Sequence, residues 1–391
     1  MPRFLGKLFG GSRDKITPKA PHKTSNKSKR SGRSVRAPRR RATDGAEGPP
    51  AAAPPDQFPT ADGDSDKSSK SVRVATHTTS KAGGPKIRVG LNAAGKQAVL
   101  AFSATTYRKG IRGLQEEFAK KKRTNNPSET QAFIQNATAG RNRYKDVACL
   151  DNCRIILRDW KTDYIHANYV STPSNERRFI CTQGPTDATC PDFWHMVVQE
   201  KSKTVIMLCN TLEKGMKKCA EYFPTAEAPE KTFDCYTLNL KLPQTEATIG
   251  MRTIGVFRDG NPQPHTVTQY HWKDWPDRGV PKADMAIIKL LDAIQSEREP
   301  VVVHCSAGIG RTGSLVMIDF ARDAAGLGNL PDSLEPIVDK IRSQRSASVQ
   351  TDQQYLFVHQ VLLEYYRFQR EIRMSKDHEK FTADYNKTII L

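Results

Sequence analysis

Cys305 and Arg311 stand six residues apart in VVVHCSAGIGRTGS, residues 301–314 of the 391-residue chain. The apolar run Val301 to Val303 reads as a buried strand ending at His304. From Thr312 onward, TGSLVMIDFARDAA has the apolar spacing of a helix. The cysteine therefore sits where a strand hands over to a helix N-terminus. Such a junction suits an anion, because successive N–H groups of a tight Ser306-Ala307-Gly308-Ile309-Gly310 loop can point inward and the helix adds its positive end. The same field, with Arg311, lowers a thiol pKa and makes Cys305 a thiolate nucleophile. A free cysteine after a valine run is otherwise a small core residue. Gly308 and Gly310 favour the first reading, since they let backbone curl around a ligand.

The residues alone suggest a thiolate facing a bound anion; the family resemblance given below implies that the chemistry is phosphoryl transfer. Its transition state spreads charge over three equatorial oxygens, with attacking and leaving atoms in line. N–H groups from Ser306 to Arg311 can bind those oxygens. The guanidinium of Arg311 fits two of them at once, which a lysine cannot do. Thr312 has two readings: a hydroxyl donated to the thiolate sulfur, or a helix-start hydroxyl bonded locally. His304, beside the nucleophile, is expected to order the loop and tune the thiolate.

The string HCSAGIGRTG resembles, without departure, the signature loop of the cysteine-dependent protein tyrosine phosphatases, and the chain is similar to the non-receptor type. Other segments follow in the family's order. Trp275-Pro276-Asp277, in WPDRGVP, resembles its mobile acid loop. NRYKDV (142–147) resembles the phosphotyrosine-pocket wall, and QTDQQ (350–354) the glutamine loop. DYIHANYV (163–170), CTQGPTDATCPDFW (181–194), EKGMKKCAEYF (213–223) and IRSQR (341–345) resemble its scaffold segments. The resemblance covers roughly residues 105–368.

The resemblance implies roles. Asp277 is the general acid and then the base; read alone, Trp-Pro-Asp is an ordinary turn. Gln350 and Gln354 orient the attacking water. Tyr144 stacks on the substrate ring, and Asp146 grips its peptide backbone. Lys145, at the rim, favours acidic neighbours of the phosphotyrosine. Glu213 holds Arg311, and Lys218 meets the acid loop; read alone, each is a solvated charge. The scheme calls for no metal and no cofactor. Some positions depart from the pattern: His166 stands where Asn is usual, Ala148-Cys149 replaces a polar-proline pair, and Arg278 follows the acid where several members carry an aromatic. Catalytically silent members lose the acid or the pocket tyrosine, and this chain keeps both. Phosphoinositide-specific relatives carry lysines inside the signature loop, where this chain has Ser306, Ala307 and Ile309.

Charge is uneven. Residues 1–100 hold 21 Lys and Arg against 7 Asp and Glu, a net +14 of the total +19. Between about residues 10 and 100 large apolar side chains are too few to offset chain entropy, so a disordered basic tail is expected. Its block from Lys27 to Arg41 fits an acidic partner, nucleic acid, an anionic membrane surface, a nuclear signal or a plain solvated linker. Phe4, Leu5, Leu8 and Phe9 among basic residues make a short candidate membrane contact. No run of 18 apolar residues suggests a membrane span.

All eight cysteines lie between Cys149 and Cys305 without the spacing of a disulfide framework, and a thiolate enzyme needs reducing surroundings. A cytoplasmic location is expected, with the nucleus left open by the basic block. The expected organisation is a tail over 1–100, a catalytic domain over 101–370 and a short C-terminal tail over 371–391. Helices are expected at 108–122, 283–296, 312–325, 333–344 and 352–370, and strands at RIIL, TVIML and YTLNLKL. The fold class is α/β or α+β. The resemblance makes it a highly twisted mixed β-sheet flanked by helices, acting on phosphotyrosine-containing proteins.

Overall fold

The computed structural model describes residues 90–121, 126–245 and 247–389. The expectations for the basic tail up to residue 89 lie outside the described residues. The strands, in chain order, are β1 (Arg154–Ile156), β2 (Tyr164–Thr172), β3 (Asn175–Thr182), β4 (Thr204–Met207), β5 (Leu212–Glu213), β6 (Met216–Lys217), β7 (Glu230–Phe233), β8 (Tyr236–Leu242), β9 (Ile249–Arg258), β10 (His265–Trp272) and β11 (Val301–His304). The helices are α1 (Ala93–Ala119), α2 (Gln131–Gln135), α3 (Cys190–Gln199), α4 (Ala286–Ala293), α5 (Arg311–Leu327), α6 (Glu335–Arg342), α7 (Asp352–Phe368) and α8 (Lys376–Thr388).

Nine strands form one mixed sheet in the order β1-β2-β3-β11-β4-β10-β9-β8-β7, and β5 and β6 make a separate hairpin. The strand carrying VVVH lies at the centre. It pairs in parallel with β3 on one side and β4 on the other, with Val302 opposite both Ile180 and Val205. All four of its residues are buried, as a parallel strand covered on both faces requires. β10 joins β4, again in parallel. The carboxyl ends of these parallel strands form the edge where ligands are usually held in open α/β sheets, and Cys305 leaves β11 at that edge.

α5 runs back from the loop and packs on β2 and β11, with α7 and α1 against it. Gly313 permits the closest approach: a Cβ there would lie 2.5 Å from the backbone nitrogen of Val349. The segment before α7 can therefore touch the start of α5.

Two boundaries differ from the sequence expectation. α1 begins at Ala93, not at 108, so residues 93–100 belong to the folded part rather than to a tail. Its first half carries Val99 and Phe102, both fully buried; Phe102 stacks on His359 at 5.7 Å. Val99, among small and polar residues, reads as tail composition, yet with Phe102 it suffices when packed on α7. The helix breaks at Gly110, where φ is 60°. Residues 371–391 are likewise not merely a tail, because α8 buries His378, Phe381 and Tyr385 against the body. Phe381 meets Tyr107 of α1 edge-on at 6.2 Å. No helix among the described residues is long and apolar enough to cross a membrane.

Phe381→Ala should therefore lower unfolding stability by about 3 kcal/mol in urea titration, the cost of a buried aromatic cavity. A loss below about 0.5 kcal/mol, usual for exposed sites, would return residues 371–391 to the status of a tail.

Candidate active site

The loop from Cys305 to Gly310 is held by its carbonyls. His304 Nδ1 donates to Cys305 O at 3.1 Å, and Gly184 N–H to Ser306 O at 2.9 Å. Arg345 donates to Ala307 O and Gly308 O, both at 3.1 Å. Val349 N–H donates to Ile309 O at 2.9 Å, and Ser314 N–H to Gly310 O at 2.9 Å. With every carbonyl turned outward and satisfied, the amides face the other way. The N–H groups of Ser306, Ala307, Ile309 and Gly310 make no backbone hydrogen bond among the described residues, while Gly308 N–H donates to Cys305 Sγ at 3.2 Å. This is a concave nest of donors at a helix N-terminus. Gly308 has φ 70°, and a Cβ there would lie 2.0 Å from Thr182 O, so only glycine fits the turn.

Burial alone pushes the Cys305 thiol up. The Arg311 guanidinium, the hydroxyl and N–H of Thr312 and the N–H of Gly308 outweigh it and hold the pKa below the ordinary thiol value. Thr312 Oγ1 has no hydrogen-bond partner of ordinary geometry among the described residues, which sets aside the locally bonded reading. His304 is fully buried, and burial lowers its pKa to about 3. It is therefore neutral. Since Nδ1 donates to Cys305 O, Nε2 accepts from Tyr222 Oη at 2.6 Å. His304 orders the loop and lends no charge to the thiolate.

Arg311 is buried, with both terminal nitrogens bonded to Glu213 at 2.6 Å and Nη1 also to Leu208 O at 2.7 Å. Despite burial, Glu213 and then the Cys305 thiolate hold its pKa above the ordinary arginine value. Glu213 lies on the β5–β6 hairpin, which is tied back by Asn210 N–H to its carboxylate at 3.0 Å. Asp277 completes the group: Lys218 Nζ donates to it at 2.8 Å and Arg311 Nη2 at 3.1 Å. Burial favours its protonated form, but Lys218 and Arg311 prevail and hold its carboxyl below the ordinary value. The loop carrying Asp277 is anchored by Trp275, which is buried against Trp272 and Phe357.

Tyr144 forms one wall. Its hydroxyl meets Ser306 Oγ at 2.8 Å, and Ser306 in turn donates to Lys218 O at 2.9 Å. Gln354 caps α7: its Oε1 accepts from the N–H of Gln350 at 2.8 Å and of Thr351 at 3.3 Å. Its oxygen is thus engaged in fixing Gln350, and its amide NH2 remains for a ligand. The cavity between these groups is about 340 Å3. Tyr144, Asp146, Lys218, Asp277, Cys305, Ser306, Ala307, Gly310, Arg311, Gln350 and Gln354 line it. Of the other residues named from sequence, His304, Gly308, Ile309, Thr312 and Glu213 stand outside the lining, and Lys145 is exposed beside Tyr144.

Sequence reading missed several supports. Arg345, fully buried, also donates to Asn168 Oδ1 at 2.8 Å and His166 Nδ1 at 3.1 Å. His166, whose pKa is pushed to about 3 by burial and then by Arg345, stays neutral and can accept. Arg143 pins the Tyr144 segment through Gly184 O at 2.8 Å and Pro185 O at 2.6 Å. Arg345 and Arg143 look like ordinary surface cations in sequence, and only the burial of Arg345 and the carbonyl contacts of Arg143 give them away. Cys209, Cys219 and His304 also cluster, with ligand atoms within 4.8 Å of one another, but both His304 nitrogens are already bonded.

The profile of the family described as protein-tyrosine phosphatase matches residues 138–364. The chain belongs to the protein-tyrosine phosphatase family. It is 37% identical over 234 residues to the receptor-type tyrosine-protein phosphatase epsilon of Rattus norvegicus, covering 56% of this chain and 32% of that one. It is 35% identical over 232 residues to the tyrosine-protein phosphatase Lar-like of Caenorhabditis elegans, covering 57% and 10%. The chain thus spans a third or less of the length of these relatives. Among solved structures, the catalytic domain of human protein tyrosine phosphatase non-receptor type 18 is similar at a TM-score of 0.58 and 28% identity, over 70% of this chain and 99% of that one. The phosphatase fold is thereby shared with both receptor-type and non-receptor relatives.

Two outcomes follow from the geometry. Arg345→Met should cost about 3 kcal/mol of stability, because two loop carbonyls and Asn168 lose a buried partner, and should raise the Cys305 pKa in thiol alkylation. An unshifted alkylation profile would mean the loop keeps its shape without Arg345. Lys218 lowers the Asp277 pKa, so Lys218→Met should raise it and move the basic limb of the kcat/KM–pH profile to higher pH. A limb that stays put or moves down would disconnect Lys218 from Asp277.

Proposed function

We propose that this chain hydrolyses phosphotyrosine in proteins through a phosphocysteine intermediate. The observation that carries the reading is the lowered Cys305 thiol at the floor of a cavity whose loop amides all face inward. The dianion would lie in that nest with Arg311 across two of its oxygens. Cys305 Sγ attacks phosphorus, the P–O bond to the phenol breaks, and Asp277 gives its proton to the leaving oxygen. In the second step a water placed by Gln350, itself fixed by Gln354, gives a proton to Asp277 and attacks phosphorus. Cys305 leaves as thiolate, and Thr312 Oγ1 is free to receive it.

The resting ion pairs fit this cycle. Asp277 is held ionised by Lys218 and Arg311 while the site is empty of phosphate. An arriving phosphate takes Arg311 for itself and adds negative charge beside the carboxylate. Both changes raise the Asp277 pKa, so the acid is charged with its proton when substrate is bound. Substrate choice follows from depth: Cys305 is only 5% exposed, below the Tyr144 wall, and a short phosphoserine does not reach it. The human non-receptor type 18 phosphatase has been solved with HER2 phosphopeptides, which agrees in kind with this substrate class.

The test is hydrolysis of a phosphotyrosine peptide by the full chain under reducing conditions. Cys305→Ser should abolish turnover while retaining binding, and Asp277→Ala should slow it by about 10²–10⁴-fold. Full activity in Cys305→Ser would remove the phosphocysteine, and an unchanged rate in Asp277→Ala would remove the general acid.

A further inference from the structure

Four cations line the cavity: Lys217, Lys218, Arg278 and Arg311. Three are engaged with carboxylates. Lys217 pairs with Asp187, Lys218 with Asp277, and Arg311 with Glu213 and Asp277. Arg278 is exposed and makes no hydrogen bond or ion pair among the described residues. Among the described residues it is the one lining cation without a carboxylate partner.

Its backbone is also unusual. Arg278 has φ 62°, a left-handed conformation that costs a non-glycine residue about 1–2 kcal/mol. Strain of this kind persists where surroundings over-determine it, and it marks functional loops. Here the turn is closed by Trp275 Nε1 donating to Gly279 O at 3.3 Å, with Trp275 locked in the core. The strained turn joins Arg278 rigidly to Asp277, one residue before it. Any movement that brings the acid to a substrate brings this guanidinium with it.

We infer that Arg278 is a specificity-determining residue, one that binds a second anionic group of the substrate, a carboxylate or a further phosphate, within one or two residues of the phosphotyrosine. The inference rests on the phosphotyrosine reading above. Consecutive Cα atoms are about 3.8 Å apart, so a long arginine side chain at the mouth spans that range. A planar fork of donors suits both kinds of anion. The opposite need is met by Asp146, a lining acid without an ion-pair partner among the described residues, which can accept peptide N–H groups. An aromatic at position 278 would pack on the ring of any phosphotyrosine. Arginine instead adds attraction that depends on the neighbours.

The experiment uses the full chain carrying Cys305→Ser and titration calorimetry with three phosphotyrosine peptides. One has neutral neighbours, one has glutamates beside the phosphotyrosine, and one has a second phosphotyrosine. Both anionic peptides should bind about fivefold more tightly than the neutral one at low salt, as for a partly exposed charge pair. That ratio should shrink as salt is raised. A larger ratio for the second phosphate than for glutamate would assign the subsite to phosphate, and the reverse to carboxylate. Adding Arg278→Gln should bring the ratio close to one. A ratio that survives Arg278→Gln, or that is lost only in Lys145→Gln, would overturn the inference. Because the readout is binding, a wild-type chain that fails to turn over these peptides would sink the hydrolytic reading while a charge preference lost with Arg278 would still stand.

Discussion

The site depends on where six carbonyls point. From Cys305 to Gly310 each main-chain oxygen is taken by the scaffold: His304, Gly184, Arg345, Val349 and Ser314 supply the donors. A peptide unit is planar, so fixing its oxygen outward fixes the next amide inward. The anion nest is therefore made by its surroundings rather than by the loop itself. The central place of β11 matters for the same reason. Parallel neighbours on both sides leave the strand no freedom, and the loop starts from a fixed point at the sheet's carboxyl edge.

Two segments remote in sequence, the α6–α7 connection and the chain after β3, converge on this loop from behind. Arg345 arrives just after α6, Val349 just before α7, and Gly184 just after β3. Arg345 is a buried cation without a carboxylate partner among its hydrogen bonds, and neutral His166, Asn168 and two carbonyls carry its donors instead. Such a group tolerates little change, because a lost partner leaves a buried charge under-solvated.

The strand-to-helix junction and the small-residue loop at Cys305 were legible from spacing, since VVVH followed by small residues and an apolar helix admits few other geometries. The mixed sheet and the Asp277 and Tyr144 segments became legible through the family resemblance. Two kinds of feature were not. Arg345 and Arg143 have no local signature, because what each guanidinium reaches is decided by partners 37 to 179 residues away. The first half of α1 and all of α8 were hidden by composition. Each carries only two or three large apolars, and what orders them is packing of α1 on α7 and of α8 on both, which a linear reading does not display. His166 was visible as a departure; its meaning, a neutral acceptor for Arg345, needed the fold.

The resting contact between Asp277 and Arg311 sets the terms on which phosphate enters. Asp277 is about one quarter exposed and Arg311 almost wholly buried, so water screens one end of the pair and its net contribution stays near the 1 kcal/mol of ordinary partly exposed pairs. A phosphate dianion offers the same guanidinium two oxygens and gives the loop amides the acceptors they lack. Each charge-assisted hydrogen bond adds about 1.5–3 kcal/mol, so exchanging carboxylate for phosphate is downhill even after the pair is lost. Glu213 does not join the exchange, because it holds both terminal nitrogens at 2.6 Å, closer than the 3.1 Å contact of Asp277 with Nη2. One carboxylate thus keeps Arg311 in position while the other yields to substrate. In the proposed cycle the yielding one is freed at the moment its proton is required.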